Sequence, residues 1–187
     1  YGFYSRYGSL SSNAARCIID CDGTGSDNAS ILYVRWSHET IYGLYPMGTP
    51  AGLDMREWDS VPVTTSSGER VVKKVRLSWF FGISIDDWRQ ASRACNIDVS
   101  DLVAGSGADL LSRMRDMMSV VEDNSHGTGA FYMNRTVHAA LARQARAAVQ
   151  AGGGLTFTNV DGMVREAFDG VPIRIIDAMP VNESRVT

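Results

Sequence analysis

The hydrophobic pattern changes period along the chain. Up to about Lys74 apolar residues fall in short runs, Cys17-Ile-Ile-Asp20, Ile31-Leu-Tyr-Val-Arg-Trp36 and Thr40-Ile-Tyr-Gly-Leu-Tyr45, separated by clusters of Gly, Asn, Asp and Ser. Pro46, Pro50 and Pro62 add further breaks. Such runs predict short strands joined by turns. A longer strand is expected from Arg70 to Ile85. It alternates at first (Val71, Lys73 and Val75 against Val72, Lys74 and Arg76) and then turns apolar through Trp79-Phe-Phe-Gly-Ile, entering the core as it proceeds.

From Ser84 the spacing becomes helical. Ser84-Ile-Asp-Asp87 fits a capping box, and Ile85, Trp88, Ala91 and Cys95 follow at three- and four-residue intervals, predicting a helix over 85–95. A second helix, 108–121, gathers Leu110, Met114, Met117, Met118 and Val121 on one face, with Arg113, Arg115 and Asp116 mostly opposite. Its methionines suit either an adaptable binding stripe or a core, and core packing is the simpler reading. A short strand, Ala130 to Met133, meets Asn134 as N-cap of a third helix, 135–149, which Gly152-Gly-Gly154 terminates. A loop from Leu155 to Gly170, a strand over 171–176 and an extended tail to Thr187 complete the reading. The fold class is α+β, with the last two helices packed on a sheet containing Phe131 and Ile173. The division expected is a strand-rich portion, 1–83, and a helix-rich portion with a returning strand, 84–187, as two parts or one domain.

Composition narrows the function. The chain has 187 residues, 44% hydrophobic and 21% charged, enough to bury a core without staples. Eighteen Lys and Arg against 21 Asp and Glu give a net charge of −3, the opposite of what counterion release asks of a dedicated nucleic-acid binder. No apolar run approaches the ~18 residues of a spanning helix. Three cysteines, Cys17, Cys21 and Cys95, do not make a disulfide framework and point to a reducing, cytosolic origin. The positive charge is carried by sixteen Arg and only two Lys, a bias that suits ion pairs at interfaces.

Candidate chemistry centres on Asp20-Cys-Asp22-Gly-Thr24 after an apolar strand. This resembles the first motif of haloacid-dehalogenase-type phosphotransferases, implying Asp20 as nucleophile and Asp22 as acid/base beside magnesium, with Lys73 or Lys74 and Asp86-Asp87 in the expected order. Successive parallel strands need crossovers of a dozen residues or more, and only strands and turns separate Thr24 from Ser84. The phosphotransferase is therefore the alternative reading. Asp20, Asp22, Thr24, Ser26 and Asn28 also mimic a calcium loop, but Ile31 stands where a bidentate Glu is needed. Asp20, Asp22 and Asp27 are accordingly expected to hold no metal. Cys17-x-x-x-Cys21 lacks a second pair for zinc, and His38, His126 and His138 imply no triad. Neither enzyme activity nor a cofactor is expected.

Ordered segments carry a wider resemblance. They are Asp22-Gly-Thr-Gly-Ser-Asp-Asn-Ala-Ser30, Tyr45-Pro-Met-Gly-Thr-Pro-Ala-Gly-Leu53, Asp87-Trp-Arg89 running to Asn96-Ile-Asp98, Phe131-Tyr-Met-Asn-Arg-Thr-Val137, Asp169-Gly-Val-Pro-Ile-Arg174, Asp177-Ala-Met179 and Glu183-Ser-Arg-Val186. Together they resemble the major capsid proteins of tailed bacteriophages and prophages. The resemblance implies the Hong Kong phage type of fold, with an axial lobe and part of a peripheral lobe. The 1–83 portion would then supply the peripheral lobe and part of the axial lobe, and 84–187 the rest. It also implies that an N-terminal arm, an extended loop and a spine helix lie upstream of Tyr1, so that the chain is a partial shell protein. The implied function is a structural subunit of an icosahedral shell, assembled in the bacterial cytoplasm and resident in the virion. Its implied partners are copies of itself in pentamers and hexamers around double-stranded DNA, with scaffold, portal or decoration proteins as further ones. Sequence-specific nucleic-acid binding and membrane association are not implied. The same resemblance puts the stretch from Gly152 to Phe168 at the tip of the axial lobe. Phe157, Met163 and Phe168 would offer apolar surface there to a neighbouring subunit, and Arg165 and Glu166 would form charge pairs with it.

Overall fold

The computed structural model describes residues 3–122, 127–148, 156–160 and 163–187. In chain order its elements are α1 (Phe3–Arg6), β1 (Ile18–Asp20), β2 (Asn28–Trp36), β3 (Ile41–Leu44), β4 (Leu53–Thr65), β5 (Gly68–Trp79), β6 (Gly82–Ile85) and β7 (Ala91–Asp98). Then come α2 (Val99–Ala104), α3 (Leu110–Val120), β8 (Thr128–Met133), α4 (Arg135–Ala148), β9 (Thr156–Val160), β10 (Met163–Phe168) and β11 (Val171–Ile175). The chain divides into two units, Tyr1–Ile41 with Ile85–Thr187, and Tyr42–Ser84. The strand-rich first portion is thus shared between them, because β2 lies inside the same sheet as β7 and β8.

The larger unit is built on a seven-stranded mixed sheet ordered β1-β7-β2-β8-β11-β10-β9. β1 runs parallel to β7 and β11 parallel to β8, while β2 is antiparallel to both its neighbours. Each face of the sheet has its own core. Ala29, Ile31 and Tyr33 of β2 point to the helical side, where Leu102, Leu110, Met114, Met117, Val137 and Leu141 cover them together with Phe131 and Ile173. Leu32 and Val34 point to the other side, against Tyr7, Ala14 and Cys17 from the N-terminal segment and Met179 and Val186 from the tail. The expected packing of α3 and α4 on a sheet with Phe131 and Ile173 is what the chain adopts, and the α3 methionines Met114 and Met117 are core residues.

One residue keeps β7 in phase with both cores. Ala29 pairs with Ile97 but Ile31 pairs with Ala94, so β7 carries an extra residue there. Asn96 sits at the irregularity with φ +56°, a conformation asparagine tolerates better than most residues. The bulge returns Ile97 to the same face as Ala94, where strict alternation would have turned it away.

Two expected elements differ. The helix over 85–95 is a single 3-10 turn, Trp88–Gln90, followed by β7. Its N-cap is present, with Asp87 Oδ1 accepting from Arg89 N at 3.0 Å, but the turn stops after three residues. Residues 91–95 then pair with β1 and β2. A strand buried on both faces shows a nearly continuous apolar run, and its three- and four-residue spacings mimic a helix. The strand over 70–85 is two strands, β5 and β6. β5 does not enter a core: Val71, Val75, Leu77 and Trp79 are all exposed.

The smaller unit contains the β4–β5 ribbon, paired antiparallel from Leu53↔Trp79 to Thr65↔Gly68, and most of the β3–β6 pair. Gly68 closes the ribbon with φ +117°, open to few other residues.

The short helix α2 has full caps. Asp98 accepts from Asp101 N (3.1 Å), the Ser100 hydroxyl (2.8 Å) and Gly25 N (3.0 Å), and Gly105 ends the helix at φ +88°. The Ser100 hydroxyl and then the Asp101 N–H hold the Asp98 carboxyl below the usual carboxylate range. Stability from this depressed group is complete above the unfolded value near pH ~3.9 and is lost as pH falls through the lower folded value. Asp98→Asn should therefore lose less stability than the parent chain between about pH 5 and about pH 2, measured by urea unfolding. Parallel acid limbs for the two chains would show that the cap does not titrate with folding.

Candidate subunit interface

The surface expected to meet a neighbour begins with α4. Asn134 closes its N-terminus, accepting from Thr136 N at 2.9 Å while its amide donates to the carbonyls of Met179 (2.7 Å) and Asp177 (3.3 Å). Arg135 forks onto Asp177 at 3.0 and 2.8 Å. One residue pair thus fixes the helix start against the outgoing tail. At the other end Gln144 bridges helices, accepting from Leu110 N (2.9 Å) and donating to Ala108 O (2.8 Å).

The stretch expected as a loop is a β-hairpin added to the sheet. β9 and β10 pair from Val160↔Met163 to Thr156↔Ala167, and β10 continues into β11 through Phe168↔Val171. The second turn, Asp169-Gly170, has φ +47° and +81°. Positive φ at both positions is the two-residue hairpin geometry for which Asp-Gly is the favoured sequence. Among the described strands β9 is outermost, and an outer edge of this kind is a template for another chain.

The five expected contact residues separate accordingly. Phe168 does not offer surface: it is 1% exposed, crosses Phe131 edge-on at 6.0 Å between ring centres, and lies under the Arg115 guanidinium at 5.6 Å. The strand alternation that turns Phe131, Met133 and Ile173 to the helical-side core continues into β10 and draws Phe168 inward. Glu166 has an intrachain partner, with Oε2 2.7 Å from His138 Nε2 of α4. Phe157, Met163 and Arg165 lie on β9 and β10 by backbone register, and their side chains are outside the described residues.

The Asp20–Thr24 segment is a turn. Asp20 Oδ1 accepts from Asp22 N and from Asn96 Nδ2, both at 2.9 Å. Asp22 has φ +61° and a side chain 82% exposed, 4.0 Å from Arg113. A Cβ on Gly23 would collide with the Asn96 carbonyl, so that glycine is there for close backbone approach. β2 follows antiparallel to β7 with no helical crossover, unlike the parallel succession the phosphotransferase motif requires. Asp87 is occupied by Arg89, whose side-chain hydrogen bonds hold its carboxyl below the usual range. Lys73 and Lys74 belong to the other unit. Among the described residues no group of three His, Cys, Asp or Glu side chains could hold a metal, and no helix is long and apolar enough to cross a membrane. His126 lies outside the described residues. Burial pushes the Cys21 thiol up to about 12 and Cys95 to about 11.

The larger unit is thus a mixed sheet with a core on each face and β9 outermost among the described strands. The family model of major capsid protein GP7 matches residues 1–187, and the chain belongs to that family. Among solved structures it is similar to a chain of the validated near-atomic-resolution cryo-EM structure of bacteriophage epsilon15. Identity is 34%, the TM-score is 0.59, and the match covers 92% of this chain and 53% of that one. The chain thus spans about half the length of that relative. No curated protein matches the sequence.

Proposed function

We propose that this chain is a structural subunit of an icosahedral phage shell. It assembles with copies of itself into pentamers and hexamers that enclose double-stranded DNA, without catalysis. Scaffold, portal or decoration proteins are further partners, and assembly takes place in the host cytoplasm before residence in the virion. The observation that carries the reading is the family match over the whole chain, supported by the shared fold of the epsilon15 chain. Rings that close need two different, complementary edges on one subunit. The β9–β10 hairpin is proposed as one of them, with Phe157, Met163, Arg165 and Glu166 as contact residues. Phe168 supports it from inside.

Electron micrographs of the purified protein should contain rings or closed particles. Arg165→Glu should reduce their yield by about tenfold at nearly unchanged melting temperature, as loss of a desolvated interfacial charge pair does. Adding Glu166→Arg should partly restore them if the two residues meet across subunits. Particles that form equally well in all three proteins place the contact elsewhere. A parent chain that stays monomeric at every concentration overturns the shell reading itself.

A further inference from the structure

The β4–β5 ribbon has two unlike faces. Residues directly opposite in an antiparallel pair share a face, and the faces alternate along each strand. The pairs Leu53↔Trp79, Met55↔Leu77 and Glu57↔Val75 therefore lie on one face, and Asp54↔Ser78 and Arg56↔Arg76 on the other. An irregularity between Trp58 and Val61 inserts one extra residue into β4, which leaves β5 in phase to its end. One face thus carries Leu53, Met55, Val71, Val75, Leu77 and Trp79, with the charges Glu57, Glu69 and Lys73 among them. The opposite face carries Asp54, Arg56, Arg70, Lys74 and Arg76, with the smaller apolar residues Val61, Val63 and Val72.

The apolar face is open. Val71, Trp79 and Leu77 are 72%, 70% and 65% exposed, and the other three remain between 43% and 58% exposed. These six side chains present roughly 600 Å², at the upper end of the largest apolar patch on an ordinary monomer. That is most of the about 800 Å² one partner gives to a stable interface. Two strands alone are marginal in water, so a ribbon this long requires a supporting body.

We propose that this face is a contact surface for a second copy of the same chain, which it meets head-to-tail with the ribbon of one copy against the larger unit of the next. The assembly reading favours that pairing over ribbon against ribbon, because like faces meeting give an isologous pair, whereas a closed ring requires unlike surfaces meeting in one direction. The proposal rests on the assembly reading and deepens it by naming a second edge.

The test compares the full chain with Val71→Glu/Leu77→Glu by sedimentation velocity over a concentration series, with a thermal melt of each. The parent should associate. The variant should need at least about tenfold more protein to do so, with its melting temperature within a few degrees, as expected for a carboxylate placed at an apolar contact. Hydrogen exchange of the parent provides a readout without any substitution: amides of 68–79 should gain protection as concentration rises. Association unchanged in the variant, or protection independent of concentration, overturns the proposal. A large fall in melting temperature with association intact also overturns it, since the face would then be covered by its own chain. The two readings fail differently. Closed particles formed equally by parent and variant sink the ribbon contact alone, whereas concentration-dependent pairing through the ribbon without closed particles sinks the shell reading alone.

Discussion

Glu183→Ala should lower the free energy of unfolding by about 3–5 kcal/mol, the usual consequence of stranding a buried charge. Glu183 and Arg93 side chains are 7% and 4% exposed, and Oε2 lies 2.6 Å from Nη2. The guanidinium also donates from Nε to Ser30 Oγ (3.0 Å) and from Nη1 to the Tyr7 carbonyl (2.7 Å), and it lies 4.6 Å from the centre of the Tyr4 ring. Ser30 in turn donates to Glu183 Oε2 at 2.6 Å. One cation therefore joins the N-terminal segment, β2, β7 and the tail. Without Glu183 that cation keeps its hydrogen bonds to Ser30 and Tyr7 but loses its carboxylate partner where the side chain is almost fully buried. Arg93→Met/Glu183→Leu should be at least as stable as Glu183→Ala, because replacing both charges leaves neither uncompensated. Urea unfolding of the three chains checks both statements, and an unchanged midpoint for Glu183→Ala would show that the tail is held by its apolar residues alone.

Met114→Asp should abolish cooperative folding. Met114 is fully buried in the helical-side core with Phe131, Val137 and Leu141. An unpaired carboxylate there costs several kcal/mol or more on top of the lost packing, against a total stability of about 5–15 kcal/mol for an ordinary domain. Met114→Leu conserves volume and should cost less than about 1.5 kcal/mol. A circular dichroism melt that stays sigmoidal for the aspartate variant would mean that α3 can leave the sheet without unfolding it.

These two sites show how unevenly the sequence reveals the fold. Met114 is legible because α3 has a cap, Asp109, and a clean apolar stripe, and the same holds for α4 with Asn134. Arg93 and Glu183 are not, since a strand arginine and a tail glutamate ninety positions apart are linked by no local rule. β7 has helical spacing for a related reason: what makes it a strand is pairing on both sides, information held in β1 and β2 rather than in its own residues. Part of the hairpin region and α2 carry local signals. Asp169-Gly170 is a hairpin-turn dipeptide between alternating runs, and Asp98 with Gly105 brackets one helical segment. For the contact surface, residue types suggested stickiness but not direction. Phe168 and Met163 look alike in sequence, and only the pairing of β10 with β11 shows that Phe168 turns inward.

The chain leaves for the ribbon unit and returns from it at one place. The backbone N–H groups of Asp86 and Asp87 both donate to the Thr40 carbonyl, at 2.8 and 3.3 Å, and Ile41 is fully buried beside them. The 43 residues of Tyr42–Ser84 thus lie between two chain positions, Ile41 and Ile85, next to a step where the outgoing and returning backbone are hydrogen-bonded. Nothing in the seven-stranded sheet depends on how far the chain travels before it comes back. The seven-stranded sheet contains no strand from 42–84, so the ribbon can lengthen or shorten while β2 and β7 stay in register.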